Sequence, residues 1–104
     1  MSLDVSLEKV LINEVFEANI THNLIGMWTE AGVYNALYWS AGKLAREIIP
    51  ELEAGVLAME SDPERFKAFN SPNGWGLYKN ALPWLKKYLS ACRENPDALI
   101  RVSK

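Results

Sequence analysis

The chain has few of the residues on which metal sites and disulfide frameworks depend. Its 104 residues include one cysteine, Cys92, and one histidine, His22. One cysteine excludes an internal disulfide and a cysteine-based zinc cluster. One histidine does not make a metal site unaided, so we expect no metal and no cofactor. Cys92 lies on an apolar helix stripe, where burial would raise the pKa of its thiol and disfavour a nucleophilic role.

Excess positive charge and long apolar runs are also missing. Eleven Lys and Arg stand against thirteen Asp and Glu, a net charge of −2 at pH 7, whereas nucleic-acid binders cluster basic residues. No apolar run approaches the roughly 20 residues of a membrane span. The first residues lack the pattern of a signal peptide. We therefore expect a cytoplasmic protein with no nucleic-acid or membrane partner.

The sequence does contain enough apolar and aromatic material for one folded domain over 1–104. Hydrophobic residues make up 49% of the chain and charged residues 23%, which is ordinary globular composition. Four Trp, four Tyr and three Phe are many for this length. These aromatic side chains must fill the core or line a site.

Alternating apolar residues predict short strands at both ends of the chain. Residues 3–7 alternate between apolar and polar, and residues 98–102 do so after a turn signal. Another strand is expected around 14–18, with 9–13 as its connection to the first. We predict a small antiparallel sheet of two or three strands in which the terminal strands pair.

Helical patterns fill the middle of the chain. Thr21 is predicted to cap the first helix, and Gly32 to end it. A short apolar piece follows at 33–39. A second helix is expected from Ser40, its candidate cap, with a kink or a break at Pro50 because proline removes a backbone hydrogen bond.

Two further helical segments complete the prediction. The sequence 61–64 is a helix start signal, with proline in the first turn, for a short helix ending near Phe69. The last helix is interrupted by Pro83, and its apolar stripe comprises Trp75, Tyr78, Leu82, Leu85, Leu89 and Cys92. The predicted fold is α+β and mostly helical, with three to four helices and short terminal strands.

Two polar segments stand where helices are expected to begin, and they contain the candidate site. Helix N-termini present unpaired N–H groups at which side chains and ligands gather. His22 is the one histidine available for acid or base chemistry. We assign no catalytic residue. The candidate ligand-binding residues are Asn19, Thr21, His22, Asn23, Asn73, Gly74, Trp75 and Tyr78.

A structural interpretation of the same residues is favoured. Thr21 caps a helix, Gly74 supplies a positive φ, Gly76 permits close packing, and Trp75 and Tyr78 belong to the core. In the alternative, Trp75 is half exposed beside His22, and the two helix starts form one aromatic-walled, amide-rich pocket.

Several blocks resemble a family of small bacterial and phage proteins of no known activity. The most specific are Ile20-Thr21-His22-Asn23-Leu24 and Asn73-Gly74-Trp75-Gly76, and the resemblance covers nearly the whole chain. It implies no catalytic residue. It favours a protein that binds and modulates something in a bacterial host.

Three hypotheses of function follow. The first is a small cytoplasmic binding module for a protein or a small anionic ligand. Its polar site lies at the starts of helices one and three, which are the first and the last of the predicted helices. The second is a small enzyme acting on an anionic metabolite or nucleotide, with His22 as general acid or base. The third is a structural homodimer whose aromatic residues form the interface.

Overall fold

The computed structural model describes residues 2–9 and 13–104 and has an α+β fold with one antiparallel sheet. Its strands are β1 (Ser2–Lys9), β2 (Asn13–Thr21) and β3 (Leu99–Ser103), in the order β2-β1-β3. β1 pairs with both neighbours. The fold class and the pairing of the terminal strands are confirmed, whereas the predicted connection at 9–13 lies partly outside the described residues.

The described part of the chain contains five α-helices, one more than the maximum of four predicted from the sequence. They are α1 (Ile25–Ala31), α2 (Tyr34–Tyr38), α3 (Ala45–Ser61), α4 (Pro63–Lys67) and α5 (Tyr78–Glu94). The additional helix is the apolar piece predicted at 33–39, which forms the short α2. Gly32 ends α1 in the left-handed conformation, and Pro63 opens α4, both as predicted.

One local prediction, the Ser40 cap, is wrong, and of the kink or break expected at Pro50 the break does not occur. Ser40 does not cap α3, because it is buried and its hydroxyl donates to the Ala36 carbonyl at 2.6 Å. The α3 helix begins after Leu44, whose N–H donates to the Glu47 carboxylate at 2.7 Å. Pro50 and Pro83 lie inside α3 and α5, and each helix continues through its proline. Packing of a long amphipathic helix outweighs the loss of one backbone hydrogen bond.

The core lies between the sheet and the helices. One face of β1 contributes Leu3, Val5 and Leu7, each at most 1% exposed. Trp28 of α1 is fully buried, and its ring lies 5.8 Å from that of Trp84 on α5. These contacts bring the last residues of β2 and the start of α5 to the same end of the molecule.

No helix within the described residues combines the length and the apolar character that crossing a bilayer requires.

Candidate functional site

The first polar segment lies where β2 ends. Thr21 has an extended backbone and its hydroxyl accepts from the Asn23 N–H at 3.2 Å, so its predicted capping role is confirmed. The helical turn it caps is a 3-10 turn over His22–Leu24, which leads into α1. The carbonyl of Asn19 accepts from the Trp84 indole at 2.9 Å and so fixes the end of β2 against α5.

The second polar segment is the loop before α5, and its own side chains hold it in shape. The Asn73 carboxamide oxygen accepts from the Ser71 hydroxyl at 2.6 Å and from the Trp75 N–H at 2.9 Å. The Asn70 side chain accepts from the Tyr78 N–H at 2.7 Å, which satisfies a free donor in the first turn of α5. Gly74 has φ +80°, as predicted. The loop is therefore ordered by several local hydrogen bonds.

The two segments touch each other. The Asn23 carboxamide donates to the Trp75 carbonyl at 2.8 Å. Gly76 has φ +112° and packs so closely that a Cβ there would lie 2.9 Å from the Cβ of Asn23. The prediction that Gly76 permits close packing is confirmed, and glycine is required there both by conformation and by space.

A cleft of about 970 Å³ opens where the segments meet. Trp75 lines it and is 68% exposed, so the favoured interpretation of Trp75 as a core residue is wrong. The residue precedes α5, so it does not continue the apolar stripe of that helix. The lining residues among those described are Ser2, Asn19, Ile20, Thr21, His22, Asn23, Leu24, Asn73, Gly74, Trp75, Gly76, Leu77 and Asn80.

His22 contacts a stacked pair of tyrosines on α2, Tyr34 and Tyr38, through a hydrogen bond to Tyr38. Its Nδ1 and the Tyr38 hydroxyl share a hydrogen bond of 2.8 Å. Tyr38 is buried and stacks on Tyr34, with ring centroids 4.9 Å apart. Burial, together with the neighbouring Tyr34, raises the pKa of Tyr38 to about 12, so this phenol stays neutral. The arrangement fixes one imidazole nitrogen and leaves Nε2 without a partner in residues 2–9 and 13–104.

One candidate lies outside the described lining, and six lining residues were not candidates, of which Ser2 and Asn80 have polar side chains. The Tyr78 ring is half buried and its hydroxyl donates to the Met59 carbonyl at 2.6 Å. Ser2 and Asn80 line the cleft instead. Asn80 could have been identified from its position two residues after Tyr78. Ser2 lies at the cleft because β1 pairs with β2 in a register that sets Ser2 opposite Thr21, and sequence spacing does not reveal this pairing.

Cys92 and the possible metal-ligating side chains were considered in the sequence for nucleophilic and metal chemistry. Cys92 is buried and burial raises the pKa of its thiol to about 12, as expected. Within the described residues, no group of three or more His, Cys, Asp or Glu side chains is placed to hold a metal ion.

Comparison of the chain with protein-family models, curated proteins and solved structures gives no match. The chemistry of the cleft has to be inferred from its own residues.

Proposed function

We propose that this protein is a binding module that takes a small polar ligand in the cleft between the two polar segments. The observation that carries the proposal is their convergence, which places four asparagines, His22 and an exposed tryptophan around one concavity. Small-molecule sites are concave and combine apolar surface with a few positioned polar groups. The hydrogen bonds that order the loop support a site formed before the ligand arrives.

The chemistry of the lining favours an uncharged ligand over the anionic one expected from the sequence. Each described lining side chain is a carboxamide, hydroxyl, imidazole, indole or aliphatic group, apart from the glycines. Anion sites commonly use guanidinium or ammonium groups. The helical segment after Thr21 is a three-residue turn followed by a seven-residue helix, too short to supply a strong dipole. At the start of the longer α5, the N–H groups of Tyr78 and Asn80 already donate to the Asn70 side chain and the Leu77 carbonyl.

A metabolite screen by NMR tests the proposal. The ¹⁵N-labelled protein is mixed with a library of neutral and anionic metabolites, and the four tryptophan indole signals are followed. Bound compounds should shift the Trp75 indole and leave that of Trp39 in place, because Trp39 is comparably exposed, at 61%, but lies outside the cleft lining. Trp75→Ala lacks this indole, so binding in the variants is followed on the carboxamide signals of the lining asparagines. The bound compounds should no longer shift these signals in Trp75→Ala and should still shift them in Trp39→Ala.

The same screen distinguishes binding from acid–base catalysis, the alternative that the His22–Tyr38 hydrogen bond favours. His22→Gln keeps a hydrogen-bonding side chain and removes the titratable group. A binding module retains the library hits in this variant, whereas an enzyme would stop converting a compound that the native protein consumes. Hits that map away from the cleft, or a diverse library without hits, would contradict the binding proposal. Membership of the bacterial and phage family stays a prediction and assigns no residue a role.

A further inference from the structure

We infer that the ligand of the cleft is a neutral saccharide whose ring stacks on Trp75 while its hydroxyls bond to the surrounding carboxamides. The inference rests on the proposed function and names its ligand class. Three features of the cleft carry it: the exposed indole on a hydrogen-bonded backbone, the mixture of free donors and acceptors, and the lack of Lys, Arg, Asp and Glu in the described lining.

Trp75 is exposed, yet its backbone is fixed on both sides. Its N–H donates to the Asn73 carboxamide and its carbonyl accepts from the Asn23 carboxamide. The indole on this ordered backbone offers a flat apolar face, and its two side-chain torsions limit the entropic cost of ordering it. The C–H face of a pyranose ring is flat and apolar on the same scale, and the hydroxyls at its rim remain free to bond with neighbouring groups.

The hydrogen bonds already formed show which polar atoms are left for a ligand. A backbone N–H can only donate and a carbonyl can only accept, so the bonds to Trp75 identify the oxygen of Asn73 and the nitrogen of Asn23. Asn73 therefore keeps its two N–H donors, and Asn23 keeps its carbonyl oxygen. Within residues 2–9 and 13–104, the carboxamides of Asn19 and Asn80 have no protein partner.

The free polar atoms of the cleft therefore include both hydrogen-bond donors and acceptors. A sugar hydroxyl both donates and accepts, so it can satisfy either kind of atom. A phosphate or carboxylate accepts alone, and it would leave the acceptor of Asn23 facing negative charge. A buried polar group without a partner costs binding energy, so the mixed lining selects for hydroxyl-rich ligands.

Titration with defined probes tests the inference. The ¹⁵N-labelled protein is titrated with N-acetylglucosamine, methyl glucoside and cellobiose at up to about 50 mM, above the millimolar Kd of a weak site. At least one sugar should shift the Trp75 indole and the Asn73 and Asn80 carboxamide signals. Its affinity should stay within about twofold between ~50 mM and ~500 mM NaCl, because a neutral ligand is not screened by salt.

Variants separate stacking from hydrogen bonding. Trp75→Ala should weaken sugar binding by about tenfold and Trp75→Phe by less, since phenylalanine retains an aromatic face. Asn80→Ala should weaken it about threefold or more, while Trp39→Phe, the matched exposed tryptophan, should have no effect. These affinities are compared only among variants that retain the native spectrum.

Adenosine and inorganic phosphate serve as competing probes. Binding of either one at the Trp75 indole, with no response to the sugars, would overturn the saccharide inference and leave the cleft as a binding site. Sugar shifts that persist unchanged in Trp75→Ala would also overturn it. If neither these probes nor the metabolite library moved any cleft signal, the proposed function itself would fall.

Discussion

Tyr38 connects the buried interior to the cleft through a single side chain. Its ring belongs to the core, and its hydroxyl bonds to His22 in the cleft wall. Burial raises the pKa of Tyr38 to about 12, with a smaller contribution from the neighbouring Tyr34. Because an unfolded tyrosine titrates near pH 10, this shift links the stability of the protein to alkaline pH.

The sign of that linkage gives a prediction for Tyr38→Phe. The stabilisation from the neutral phenol is fully present below about pH 10 and is lost as the pH rises through about 12, because the unfolded chain releases its proton first. The free energy of unfolding should therefore fall less steeply with pH in Tyr38→Phe, by up to about 1.4 kcal/mol per pH unit. Urea unfolding between about pH 8 and pH 12 measures both slopes.

Two further expectations separate the contribution of Tyr38 from those of other groups. Burial also raises the pKa of Tyr88, so some alkaline slope should remain in the variant. Below about pH 9, where neither state ionises Tyr38, the difference between native protein and variant should be constant. Identical slopes above about pH 10 would show that Tyr38 is not protected from ionisation in the folded protein.

In the candidate site, residue type alone predicts some local roles and not others. Thr21, Gly74 and Gly76 were assigned correctly because capping, positive φ and close backbone approach each favour particular residue types. Trp75 was assigned to the core because it lies three residues before Tyr78, which is helical spacing. The helix begins only at Tyr78. Of the two bonds that hold the Trp75 backbone, the one from Asn73 is local, and the one from Asn23 joins residues far apart in sequence.

At the scale of elements, α3 packs closely against the α1–α2 connection through Gly55. A Cβ added at Gly55 would overlap a methyl group of Val33 and lie 3.3 Å from the Ala31 carbonyl. Glycine costs a helix interior about 1 kcal/mol relative to alanine. The close approach of the two elements accounts for its presence in the middle of a seventeen-residue helix.

Gly55→Ala should therefore destabilise the protein, although alanine is the better helix former. Overpacking of this kind costs about 1–3 kcal/mol. Val33→Ala opens the space that the new methyl needs, so the double variant should be more stable than the sum of the single effects predicts, by about 1 kcal/mol. Urea unfolding of the four proteins in the cycle measures the coupling.

Ala54 provides the control on the same helix. It is exposed on α3, so Ala54→Gly should cost about 1 kcal/mol through helix propensity alone and should add to Val33→Ala without coupling. A Gly55→Ala variant more stable than the native protein would contradict the close packing of α3 against the connection.

Elements with strong periodicity were predicted more accurately than their boundaries. The alternation at residues 3–7 identified β1, and the apolar stripe identified α5 from its second turn onward. The apolar spacing of α3 runs through Pro50, and the kink or break was expected from the proline alone, whose effect depends on the packing of the whole helix. The start of α3 was misplaced because Ser40 is a favourable cap residue, whereas its burial depends on the tertiary fold.

On the scale of the whole molecule, the sheet joins distant parts of the chain to one core. β3 completes the sheet beside β1, with Ile100 opposite Leu7. The backbone of Ile100 also bonds to Gly42 and Lys43, at 2.9 Å in each case, in the segment that leads into α3. Its side chain is 1% exposed, so this residue contacts both the sheet and the start of the helical layer.

Ile100→Ala should accordingly weaken the entire molecule rather than detach one strand. Loss of a buried isoleucine side chain costs about 2–5 kcal/mol, whereas Leu99→Ala on the same strand, 42% exposed, should cost less than about 1 kcal/mol. If sheet and helices form one cooperative unit, tryptophan fluorescence and far-UV circular dichroism should report the same urea midpoint in the native protein and in both variants. Fluorescence follows Trp28 and Trp84 in the core, and circular dichroism follows mainly the helices. Separate midpoints in Ile100→Ala would show that the sheet can open while the helices remain folded, and that sheet and helices do not unfold as a single unit.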